Sequence, residues 1–121
     1  MSVTTQREFD KRAKIVTKKL LDNNFKPFLW DAASEGDLTF YKIINQRVVV
    51  VLFSNDDDYV SKTITIYIVE LYGKAPGLTI EEFVYKILGN GLKCISTNSI
   101  GLLDALIQYN FNLVVVDSWY I

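Results

Sequence analysis

Residues 69–88 read VELYGKAPGLTIEEFVYKIL. A run of strand formers ends, a Lys-Ala-Pro-Gly turn follows, and a helical pattern starts at once. Thr79-Ile80-Glu81-Glu82 fits a capping box, in which a hydroxyl takes a free amide and a glutamate three residues on returns the bond. Phe83, Val84, Ile87 and Leu88 then share one face of a helix. Gly89-Asn90-Gly91 stops it. A strand leading through a tight turn into an amphipathic helix makes this an α/β chain.

Upstream, three strands precede the turn. Residues 38–45 form the first. Residues 48–53 are continuously apolar, as expected of a strand covered on both faces. Asn45-Gln46-Arg47 supplies a short hairpin turn between them. Residues 63–72 form the third, reached through the polar Ser54-Asn55-Asp56-Asp57-Asp58. The aspartate triplet lacks the glycine and distal glutamate of a calcium loop, so it reads as a turn.

Further upstream, Thr5-Gln6-Arg7-Glu8 fits another capping box. Phe9, Ala13, Val16 and Leu20 make one helical face, and Asn23 or Asn24 can close the helix. Residues 25–37 are irregular. In them Phe25, Phe28, Leu29 and Trp30 read as core anchors or a short strand, and Ser34-Glu35-Gly36-Asp37 as a turn.

Downstream, residues 92–96 form a fourth strand. Asn98 or Ser99 caps a third helix with Leu102, Leu103, Leu106 and Ile107 inward, and Asn110 can end it. Residues 112–120 form the last strand. The order α-β-β-β-α-β-α-β gives a mixed sheet of about five strands in one domain over residues 1–121. Tight turns make the first strands antiparallel, and helical crossovers make the later ones parallel.

Composition narrows the chemistry. Of 121 residues, 50% are hydrophobic and 22% charged, as in a globular domain. The chain has no histidine, which removes Ser-His and Cys-His nucleophiles and the usual zinc sites. Its one cysteine, Cys94, can form no internal disulfide and reads as a core residue in an apolar strand. A reducing, cytoplasmic setting follows from that, and no apolar run is long enough for a membrane span. Net charge is −1, but residues 1–30 hold seven basic and three acidic side chains. The basic excess falls on the first helix and reads as a solvated face. Nucleic acid is the least favoured partner, because no basic, aromatic sheet face accompanies that helix.

From residue 38 to residue 120 the order resembles the GNAT acyltransferase fold from its second strand onward. In that family the fourth strand enters a loop of the form Arg/Gln-x-x-Gly-x-Gly/Ala, whose amides hold the pyrophosphate of acetyl-coenzyme A. Here the loop reads Lys74-Ala75-Pro76-Gly77-Leu78-Thr79. Asn98, and Leu106-Ile107-Gln108-Tyr109-Asn110-Phe111, echo the family's later motifs, with Leu106 at its tyrosine position and Asn110 in place of glycine. The resemblance implies acetyl-CoA as cofactor, held by Leu71, Lys74, Gly77, Leu78, Thr79 and Asn98. Glu70 would be the base that deprotonates an attacking primary amine, and Tyr109 or Tyr72 the acid for the thiolate leaving group. No metal is implied.

Each residue also has a plainer reading. The loop serves as a proline-stiffened turn, Glu70 as a strand-end carboxylate, and Tyr109 as a packed aromatic. The family's outer strands have no counterpart between the opening helix and Ile121, and small phage and mobile-element proteins of this likeness include non-catalytic ones. The second expectation is therefore an interaction or assembly protein without a cofactor, located in the host cytoplasm or, if phage-encoded, in the virion. It would bind a protein partner or itself through sheet edges and the apolar Trp119, Tyr120 and Ile121.

Overall fold

The computed structural model describes residues 3–29, 38–55, 62–89 and 95–112. Helix α1 (Val3–Asp22) leads into β1 (Lys26–Pro27), then β2 (Leu38–Ile44), β3 (Arg47–Asn55) and β4 (Lys62–Glu70). A single 3-10 turn (Leu71–Gly73) precedes α2 (Ile80–Gly89), β5 (Ile95–Thr97) and α3 (Ile100–Gln108). The five described strands lie in the order β1-β2-β3-β4-β5.

The central hairpin follows from its turn. Ile44 pairs with Arg47, leaving Asn45 and Gln46 as a two-residue connection with φ of 49° and 67°. Two left-handed residues make a type I′ turn, whose twist matches that of the strands it joins. Strand β3 then pairs along its whole length with β4, from Arg47↔Glu70 to Asn55↔Lys62.

Alternation along β3 sends its apolar run to two cores. Val49, Val51 and Phe53 join Phe40, Ile64, Ile66 and Ile68 beneath α1 and α3, which contribute Val16, Leu20, Leu103 and Leu106. Val48 and Val50 join Tyr41 and Val69 on the opposite face, beneath Phe83, Val84, Ile87 and Leu88 of α2. The sheet is thus a middle layer covered on both sides, which explains why residues 48–51 are all fully buried.

Helices α1 and α3 run side by side in the same direction. Arg12 Nη2 donates to the Asn98 carbonyl, Lys19 forms a 2.8 Å ion pair with Asp104, and Phe25 meets Phe111 just beyond the two helix ends. Part of the basic character of α1 is therefore spent inside the fold. Lys18 is also paired, with Asp22 at 2.8 Å, and that bond raises its pKa.

Several expectations change. The second half of the sheet is not parallel: β4 and β5 pair antiparallel, Ile64↔Thr97 through Ile66↔Ile95. Helix α2 covers the end of the sheet at which β4 finishes. Its apolar patch, Tyr41, Val48, Val50 and Val69, lies across β2, β3 and β4 towards the Glu70 end of the sheet. The chain enters α2 at that end, and β5 then pairs against β4 in the opposite direction. Helix α1 begins at Val3, so Thr5 is inside it and is not its N-cap. Leu102, expected inward, is 40% exposed, because the buried stripe of α3 is centred on Leu103 and Leu106. Within 25–37 Phe25 is a buried anchor and a short strand forms at Lys26–Pro27, but Leu29, expected to be an anchor or strand residue, is 96% exposed and outside the strand. The predicted last strand 112–120, Asp56, Asp57, Asp58, Trp30, Cys94, Trp119, Tyr120 and Ile121 lie at or beyond the limits of the described residues.

Candidate functional site

The turn between β4 and α2 carries most of the candidate residues, and several of its polar groups bond to one another. Ala75-Pro76-Gly77-Leu78 closes with Leu78 N donating to Ala75 O at 3.2 Å. Gly77 has φ 90°, and proline then glycine at the two central positions makes a type II turn. Glycine is therefore required here by the turn itself. A Cβ at Gly77 would meet nothing within 4 Å, so the backbone conformation sets this requirement rather than crowding.

The capping box forms as the spacing predicts. Glu82 N donates to Thr79 Oγ1 at 3.1 Å, and Thr79 N donates to Glu82 Oε1 at 3.0 Å. The Thr79 amide is the first cause holding the Glu82 carboxyl below its usual range. Lys74 folds back on the same turn, its ammonium donating to the carbonyls of Leu78 and Ala75. Its backbone N–H donates to Leu71 O at 3.0 Å. Pro76 has no N–H to offer. The amides of Leu78, Thr79 and Glu82 and the Lys74 ammonium are all engaged within the loop.

Glu70 ends β4, with its carboxylate half-buried and 3.3 Å from Arg47 Nε across the β3–β4 pair. The neighbouring Leu71 N donates to Gln46 O at 2.8 Å, tying the 3-10 turn to the β2–β3 hairpin. Tyr72 and Tyr109 are 58% and 55% exposed. Tyr109 closes α3, on the α1 side of the sheet.

Asn98 lies elsewhere. It follows Thr97, which pairs with Ile64 near the start of β4, whereas Leu71 follows the other end of that strand. The intervening extended chain spans about 20 Å at ~3.3 Å per residue. The structure thus brings Leu71, Lys74, Gly77, Leu78 and Thr79 together with Glu70 and separates Asn98 from them. Asn98 is exposed, and its carbonyl accepts from Arg12. Ser99 is the α3 cap, its Oγ accepting from Leu102 N at 3.0 Å.

One polar cluster has no counterpart in the sequence reading. Tyr41 OH donates to Glu81 Oε1 at 2.8 Å, and the Phe28 ring stands edge-on to Tyr41 with centroids 6.1 Å apart. Burial, then the Glu81 bond, raises the Tyr41 pKa. That same bond, followed by the Glu81 backbone amide, lowers the Glu81 pKa. Phe28, Glu81, Glu82, Tyr85 and Lys86 line an adjacent open cavity of about 510 Å³. Tyr41 and Glu81 lie far apart in sequence and no local motif links them; only the packing of α2 on the sheet joins them.

Among the described residues no group of three or more His, Cys, Asp or Glu side chains could hold a metal ion. No described helix is long and apolar enough to cross a membrane. Compared with known families, curated proteins and solved structures, the chain matches no family model, no curated protein and no solved structure.

Proposed function

We propose that this chain is a non-catalytic interaction or assembly protein that self-associates through the exposed flank of α3. The observation that carries this reading is an apolar corner at one side of the fold. Leu102 and Tyr109 share a stripe on the flank of α3 opposite Asp104, 40% and 55% exposed. An exposed apolar helix flank invites another chain. The β1 side of the described sheet is unsuited to strand addition. Strand β1 consists of Lys26 and Pro27, a cation and a residue without an N–H, the pair that blunts edges against strand addition.

Light scattering on the purified chain tests the proposal. The expected result is an oligomer that dissociates to monomer in the Leu102→Asp, Tyr109→Asp double variant, with its helical circular dichroism retained. A parent protein that stays monomeric at high concentration overturns self-association through this corner.

The alternative, a GNAT-like N-acetyltransferase using acetyl-CoA with Glu70 as base, keeps one supporting observation. Glu70 sits directly beside the Lys74–Thr79 turn at the N-terminus of α2, where amides and the helix dipole favour phosphate. Against it stand the loop's own bonds and the position of Asn98 at the far end of β4. A thermal-shift titration with acetyl-CoA separates the two readings. A ligand present at about one hundred times its Kd adds about 2.7 kcal/mol to stability. We expect no shift; a clear one would restore the enzyme reading.

A further inference from the structure

We draw no further inference here: the strongest candidate, the open groove of about 600 Å³ along α1 lined by Ala13, Lys14, Thr17, Lys18, Leu21 and Leu38, is an apolar face for which nothing among the described residues shows what covers it.

Discussion

Phe25 and Phe111 meet edge to face, their ring centroids 6.0 Å apart and their planes at 61°. Each is delivered by the same device. At the end of α1, Phe25 N donates to Leu20 O and Asn24 N to Leu21 O, with Asn24 at φ 68°. At the end of α3, Phe111 N donates to Leu106 O and Asn110 N to Ile107 O, with Asn110 at φ 53°. Both are Schellman motifs, in which an asparagine takes the left-handed position and the next residue turns back onto the helix. The two phenylalanines, 3% and 1% exposed, thereby lock two parallel helices into one core.

This pair gives the first prediction. Phe25→Ala and Phe111→Ala should each cost about 3–5 kcal/mol, the usual loss for a buried phenylalanine. If the ring contact matters beyond burial, the double variant should fall short of the sum by about 0.5–1.5 kcal/mol. Urea unfolding of the four proteins completes the cycle, and strict additivity would remove any special role for the ring contact.

Gln46 is held at φ 67° in the type I′ turn, where a side chain is strained and glycine is not. Gln46→Gly should therefore raise stability by about 0.5–1 kcal/mol despite the entropy that glycine adds to the unfolded chain. A melting temperature a few degrees higher is the expected reading. A lower one would mean that the Gln46 side chain contributes more than its backbone costs.

Gly77 is the mirror case. Gly77→Ala introduces no clash, so its cost should be backbone strain alone, about 1–2 kcal/mol. Denaturant midpoints measure it. An unchanged midpoint would mean that the turn does not require the left-handed conformation.

Thr39 Oγ1 is buried without a hydrogen-bond partner. Thr39→Val removes this unsatisfied group while keeping the β-branched shape, and should stabilise by about 1 kcal/mol. Destabilisation in the same unfolding assay would show that the hydroxyl has a partner in solution.

The Tyr41–Glu81 bond sets a pH window. Glu81 has a folded pKa below its ordinary 4.5, so its contribution is present above that value and lost as pH falls through the depressed one. Tyr41 has a folded pKa above its ordinary 10.0, so its contribution is present below that value and lost as pH rises through the raised one. Tyr41→Phe should lower the melting temperature between these limits. Parent and variant curves should converge in acid and in alkali. A difference independent of pH would assign the loss to packing.

Much of this protein was legible in local sequence. The Thr79–Glu82 box, the asparagine helix ends, the Asn45-Gln46 turn and the apolar runs of β3 and α2 depend on neighbours within a turn or two, so local spacing made them legible, although the same box spacing at Thr5 falls inside α1. The same holds for Gly77, whose place after proline already implies a type II turn. What the sequence left open was decided by long-range packing. The apolar patch under α2 lies across three strands, and β5 pairs antiparallel with β4. The resulting register separates Asn98 from Leu71, while the seating of α2 brings Tyr41 to Glu81. Helix and turn signals are local free energies of single residues. Strand direction and site assembly depend on which faces bury one another, and only the folded whole decides that.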